Sequence, residues 1–269
     1  MRGGKNSRGR CPDHESPAHN CYTAGFMASV KGAERNRVQA GVETRNKLHS
    51  LDKDLFDHLE GLQELILNDN DLQEIDAQTT AAISSITALE SLSLAETGLT
   101  DLPQGVFNSL IQLTWMNLAN NEFETVPTKA IGSARNLRDL NLNGNPIREL
   151  NQQSFVGMSE LTALNISAMP ELTVIRRETF APLRKLHSLR CSNNNKLTSI
   201  DPFAFEGIAD SRNEYPIREI KITDLIDTFD NFRKLISARG PAKNFCAPAP
   251  VRGPPVGEHC FIRLSCNAL

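Results

Sequence analysis

The stretch RNLRDLNLNGNPIREL, residues 135–150, decides how the rest of the chain is read. Its apolar residues are Leu137, Leu140, Leu142, Ile147 and Leu150, and Asn145 stands between Leu142 and Ile147. A helix would repeat apolar residues every three or four positions, and an alternating strand would have to run much longer. The spacing predicts one short strand followed by a turn.

The same phrase, L-x-x-L-x-L-x-x-N-x-L, occurs along most of the chain. It runs through Leu62, Leu65, Leu67, Asn70 and Leu72; through Leu89, Leu92, Leu94, Thr97 and Leu99; and through Leu113, Met116, Leu118, Asn121 and Phe123. After the opening copy come Leu161, Leu164, Ile166, Met169 and Leu172, then Leu186, Leu189, Cys191, Asn194 and Leu197, and a worn Ile217, Ile220, Ile222. The second leucine falls at 65, 92, 116, 140, 164, 189 and 220, so the period settles at 24 residues through the middle of the chain. A fixed period of this size marks stacked repeats. Over residues 48 to 225 the sequence resembles the leucine-rich repeat family, in the 24-residue form of its animal extracellular branch. The resemblance implies an α/β solenoid: a horseshoe with short parallel strands on the concave face and mostly irregular or 3-10 segments on the convex side.

Each letter of the phrase has a physical reason. The three leading apolar positions point into a core that one repeat cannot close but a stack of neighbours can. The asparagine falls where the strand turns away, and its amide can satisfy buried backbone groups that would cost about 1 to 3 kcal/mol each if left open. Asn70, Asn121, Asn145 and Asn194 are therefore expected to be structural. Thr97 can imitate them in part and Met169 cannot, so the fifth turn is expected to be irregular, as the extra residue before Leu172 also suggests. A second column, Phe107, Ile131, Phe155, Phe180 and Phe205, should fill the convex half of the core.

Composition sets further bounds. The chain has 269 residues, 39% of them hydrophobic, with one Trp and two Tyr, as suits a core packed by leucine. Its net charge of −3 is unevenly placed, because residues 1–47 carry nine Lys or Arg against four Asp or Glu. The front is basic and the body acidic. A short solvated basic tail is weak ground for nucleic-acid or lipid binding, and no nucleic-acid partner is expected. No apolar run approaches the roughly 18 residues of a membrane span, and no apolar stretch of roughly 7 to 15 residues follows the first basic residues as a secretory leader requires. The expected organisation is a basic, mostly disordered tail at 1–36, a solenoid at 37–225 with a degenerate first strand near VQAGV, and a cysteine-containing cap or tail at 226–269.

Cys191 replaces a strand leucine and reads as a buried free thiol. The other five cysteines, Cys11, Cys21, Cys246, Cys260 and Cys266, flank the repeats. Exposed solenoid ends need closing, and the family resemblance implies cysteine-rich caps. Under that implication Cys11 pairs with Cys21, one pair forms among the last three, and one thiol is left over; the C-terminal cap lacks the two adjacent cysteines its first half should bring. Cys11, His14, His19 and Cys21 also have the residue types of a zinc site, but C-x2-H-x4-H-x-C is not a common zinc spacing. No metal and no cofactor are expected.

Function in such a fold lies on the outward positions of the strands, held in columns about 4.8 Å apart. The candidate partner-binding residues are Glu64, Trp115, Asn117, Asp139, Asn141, Asn143 and Arg190. Trp115 is the strongest, because aromatic anchors dominate interface energetics. The row of Asn117, Asn141 and Asn165 is polar without charge, which suits hydrogen-bonded recognition of a protein, glycosylated or not, or of a glycan better than phosphate binding. Asn165-Ile166-Ser167 is a glycosylation sequon. The six histidines share no motif with a nucleophile or carboxylate, and no phosphate loop or G-x-S-x-G occurs. The expectation is a non-enzymatic protein-binding module of secreted-matrix or receptor-ectodomain type, extracellular or at the cell surface. The alternative is an intracellular scaffold or regulatory subunit docking onto a signalling enzyme in the cytoplasm.

Overall fold

The computed structural model describes residues 48–57, 59 and 61–207, together with two short strands at 37–39 and 219–221. Eight parallel strands form one continuous sheet: β1 (Arg37–Gln39), β2 (Glu64–Ile66), β3 (Ser91–Ser93), β4 (Trp115–Asn117), β5 (Asp139–Asn141), β7 (Ala163–Asn165), β9 (Ser188–Arg190) and β11 (Glu219–Lys221). The register runs through Leu65, Leu92, Met116, Leu140, Leu164, Leu189 and Ile220, the seven positions of the repeat. All seven expected strands are present, each one residue shorter at its end than the repeat suggests. The ladder nonetheless continues through that residue, as in Leu94 N–H to the Asn117 carbonyl and Leu118 N–H to the Asn141 carbonyl, both 2.8 Å. Val38 and Gln39 of the VQAGV segment belong to β1, which pairs with β2.

The central strand residues from Leu65 to Leu189 are 0–2% exposed and join one apolar core along the stack. Where each strand ends, the chain turns through a left-handed residue one place before the consensus asparagine: Asp69, Glu96, Asn120, Gly144, Ala168 and Asn193 all have φ between 53° and 76°. Asn, Asp and Gly tolerate this region, whereas other residues pay roughly 1–2 kcal/mol for it. The turn then needs an amide. Asn121 Nδ2 donates to the carbonyls of Leu94 and Leu118 at 2.7 and 3.1 Å, and its Oδ1 accepts from Thr97 N–H, Thr97 Oγ1 and Leu99 N–H. Asn145 does the same for Leu118 and Leu142, at 2.9 and 2.8 Å. Asn70, Asn121, Asn145 and Asn194 are at most 3% exposed, as expected of structural residues.

The expectation of an irregular fifth turn is corrected. Ala168 adopts the same left-handed conformation as its counterparts, and its N–H bonds to the Ser192 carbonyl at 2.7 Å as Asn120 does to Asn143. The amide that Met169 lacks comes from the next repeat: Asn194 Nδ2 donates to the Ile166 carbonyl at 3.0 Å, and its Oδ1 accepts the Met169 N–H at 2.8 Å. Each asparagine serves two turns, so one can be lost without opening the chain. Thr97 partly imitates the amide as expected, donating its hydroxyl to the Leu94 carbonyl.

The return path has more order than the repeat implies. The first interval is three residues longer than 24, and it holds helix α1 (Ala77–Ser85), capped by Asp76, which accepts from Thr79 N–H at 2.7 Å and from Ser50 Oγ at 2.9 Å. A second helix, α2 (Thr128–Ile131), is a single turn. Strands β6 (Glu149–Leu150), β8 (Val174–Ile175) and β10 (Ser199–Ile200) form a small parallel sheet. Along the return path Phe107, Ile131, Phe155 and Phe180 are buried in the common core. The Phe180 ring stacks on Phe155 at 5.9 Å and on the partly buried Phe205 at 4.7 Å. Cys191 is buried, 1% exposed, and its sulfur accepts from Asn194 Nδ2 at 3.2 Å. Cys11, Cys21, Cys246, Cys260, Cys266, His14 and His19 lie outside the described residues, as do the expected tail and C-terminal cap.

Candidate functional site: the concave face

Because side chains alternate along a strand, the residues flanking each buried leucine face outward on the large sheet. The middle residue of each of these strands from β2 to β9 is buried, while most of its neighbours are half-buried or exposed. The parallel register sets Ser91, Trp115, Asp139, Ala163 and Ser188 in one row, and Ser93, Asn117, Asn141, Asn165 and Arg190 in another.

The second row is a hydrogen-bonded ladder. Asn141 Nδ2 donates to Asn117 Oδ1 at 2.9 Å, Asn117 Nδ2 to Ser93 Oγ at 3.1 Å, and Ser93 Oγ to Asn68 Oδ1 at 2.7 Å. Each amide oxygen also caps the strand end two residues on, accepting from Ala119, Asn143 and Ser167 N–H at 3.1 Å for Asn117, Asn141 and Asn165. The row that reads as a recognition surface is therefore structural as well, and Asn117 and Asn141 make a stiff polar floor. Asn143 sits just past β5, half-buried, with its N–H bonded to Asn141 and its carbonyl accepting from Asn120 N–H at 2.7 Å. It edges the face.

In the row beside that floor stands Trp115, 38% exposed, between Ser91 and Asp139. Asp139 is half-buried, and burial raises its carboxyl above the ordinary range. Glu64 is half-buried at one end of the face and Arg190, in the neighbouring row, exposed toward the other. Two exposed residues escape the sequence reading. Ile111, 63% exposed, lies four residues before Trp115 on the approach to β4; an isoleucine near a leucine repeat reads as core, and only the register shows that it falls outside it. Arg138, next to Asp139, is exposed and in no ion pair among the described residues. Carboxylates (Glu64, Asp69, Glu90, Glu96) gather at the first repeats and the arginines Arg138 and Arg190 at the later ones. The face is thus electrically polar along the solenoid. Among the described residues no group of three or more His, Cys, Asp or Glu is placed to hold a metal ion, and no helix is long and apolar enough to cross a membrane.

A stack of short parallel strands with asparagine-stitched turns defines a leucine-rich repeat solenoid, and comparison with known proteins agrees. The family profile described as leucine rich repeat matches residues 87–147, 118–168 and 135–195. Chaoptin of Tribolium castaneum is 30% identical over 173 residues, covering 64% of this chain and 21% of that protein. Among solved structures, that of TLR13 with ssRNA13 aligns with a TM-score of 0.58 at 24% identity, over 66% of this chain and 27% of the other. The Drosophila Toll–Spatzle complex aligns with a TM-score of 0.58 at 18% identity, over 68% and 23%. Over residues 87–195 the chain carries leucine-rich repeats, and it is similar to extracellular-type leucine-rich repeat proteins. It spans about a quarter of the length of each of these three proteins.

Proposed function

We propose that the chain is a non-enzymatic protein-binding module that works outside the cell or at its surface, and that it takes its partner on the concave face around Trp115. The observation that carries this reading is the setting of Trp115. A large aromatic side chain, 38% exposed, stands in the row beside amides that are already fixed by one another. A rigid floor loses little freedom on binding, and an aromatic anchor beside it provides the area that dominates interface energy. Glu64 and Glu90 on one side and Asp139, Arg138 and Arg190 on the other would orient a partner of complementary polarity. Asn117, Asn141 and Asn143 contribute what remains of their hydrogen-bonding capacity. The relatives support the setting: the curated proteins matched are extracellular-type leucine-rich repeat proteins and receptors, and one structural neighbour, Toll, is bound to Spatzle.

The test is capture of partners from conditioned medium and from cytosol with the wild type and Trp115→Ala. The variant should keep its fold and lose roughly 2 kcal/mol of affinity, about 30-fold, for a secreted or cell-surface protein. Selective loss of a cytosolic enzyme would instead establish the scaffold reading, and loss of a nucleic acid would replace the protein partner. Retention of every partner would move the site off this face.

A further inference from the structure

We infer that Asn165 carries an N-linked oligosaccharide, which rises from the concave face at the fifth repeat and walls off the binding surface on that side. The inference rests on the extracellular setting proposed above, but not on where the partner binds.

Three observations converge on the same nitrogen. Asn165-Ile166-Ser167 has the N-x-S pattern of the acceptor. Asn165 lies on β7, half-buried, in the outward row that contains Asn117 and Asn141. Unlike theirs, its Nδ2 has no hydrogen bond among the described residues: Asn141 and Asn117 each donate to the preceding repeat, whereas Asn165 is held by its Oδ1, which accepts the Ser167 N–H at 3.1 Å. The ladder therefore stops one rung short. In the following repeat the row continues with an exposed arginine, Arg190, and the row beside it holds Ala163 and Ser188, both small. A sugar on Asn141 would crowd a side chain bonded to Asn117, whereas a sugar on Asn165 displaces no bond of the fold.

The transfer itself is a substitution at an anomeric carbon. Asn165 Nδ2 attacks C1 of the first sugar of a lipid-linked oligosaccharyl diphosphate. The Nδ2–C1 bond forms as the C1–O bond to phosphate breaks, one Nδ2 proton passes to a base of the transferase, and the lipid diphosphate leaves. Asn165 is two strands from Trp115, about 10 Å at the usual strand spacing. A glycan there would leave the first four repeats open and confine a partner to the half of the face that contains the tryptophan and most of the carboxylates.

The full chain, directed into the secretory pathway of a eukaryotic host by an added leader, is measured by intact mass before and after peptide-N-glycosidase treatment. The wild type should lose the mass of one whole oligosaccharide. Asn165→Asp, which keeps the oxygen that accepts the Ser167 N–H, and Ser167→Ala should both be secreted without it. Melting temperatures before and after enzymatic removal should agree within about 2 °C, since the nitrogen supports nothing in the fold. A secreted wild type with the mass of the bare chain, or an increment that survives in Asn165→Asp, overturns the inference. If the bare chain still binds in a Trp115-dependent way, the glycan alone is refuted and the binding face stands.

Discussion

Two rows of asparagine stand in this solenoid, one buried along the stack and one on the outward face of its middle repeats, and they are held differently. The buried row, Asn70, Asn121, Asn145 and Asn194, is bonded almost entirely to backbone: carbonyls of its own and the preceding repeat below, N–H groups above. The outward row, Asn117 and Asn141, is bonded side chain to side chain across repeats, with one local backbone N–H on each oxygen, on a half-buried surface. Both follow the repeat, the buried row with Thr97 and Met169 standing in at two of its positions, and both cross between repeats. What separates them is the alternative each group has when its partner is lost. A backbone carbonyl in the core has none, whereas a half-exposed amide can turn to water. The first row should set stability, and the second should set the shape of the face.

The largest effect should follow from breaking the first row. Asn121→Ala leaves the buried N–H groups of Thr97 and Leu99 without an acceptor, while the carbonyls of Leu94 and Leu118 keep Thr97 Oγ1 and Asn145 Nδ2 as donors, so it should cost roughly 3 kcal/mol. Asn117→Ala, four residues away, removes rungs that solvent can replace and should cost about 1 kcal/mol. Chemical denaturation of both variants measures the contrast, and equal losses would show that the two rows are the same kind of structure.

The comparison explains what can be read from the sequence. Hydrophobic spacing locates the strands and their register, because a parallel stack allows only one face of each strand into the core. It also locates the buried asparagines, whose position in the repeat is fixed. The outward ladder is legible as a row of Asn117, Asn141 and Asn165 but not as bonded, since hydrogen bonds between residues 24 apart depend on the spacing of neighbouring repeats. The fifth turn misleads for the same reason. Met169 taken alone has no amide to offer, while the amide that serves it belongs to Asn194. Helix α1 is hidden by the leucine pattern, although Asp76 followed by AQTTAAISS has the cap and run of a short helix.

A middle-sized effect tests the turn itself. Ala168 occupies the left-handed position that Gly144 fills in the fourth repeat, with φ of 53° against 76°. A non-glycine there carries about 1–2 kcal/mol of strain, and glycine gives part of this back as chain entropy, about 0.5–1 kcal/mol. Ala168→Gly should therefore stabilise the protein by roughly 0.5–1 kcal/mol, seen as a rise in melting temperature. The reverse exchange, Gly144→Ala, should cost stability, because alanine is strained at φ 76° and its Cβ would also push the exposed Asn120 amide aside. A loss of stability in Ala168→Gly would show that the fifth turn does not share the strain of its neighbours.

The smallest effect separates the face from the fold by pH. Burial raises the carboxyl of Asp139 above its ordinary value of 3.8. When the folded pKa lies above the unfolded one, the unfolded chain ionises first. Stability is therefore unaffected below pH 3.8, falls as pH rises through the interval up to the folded pKa, and stays lowered above it. Asp139 thus costs stability at neutral pH while presenting a charge beside Trp115, the pattern of a side chain kept for recognition rather than for folding. Asp139→Asn should raise the melting temperature at pH 7, with the gain fading as pH falls from the folded pKa toward 3.8 and absent below it. If the gain persists in acid, it comes from packing and the carboxylate carries no such cost. If it follows this course, and binding through the Trp115 surface weakens in the same variant, then the charge that burdens the fold is one that the partner uses.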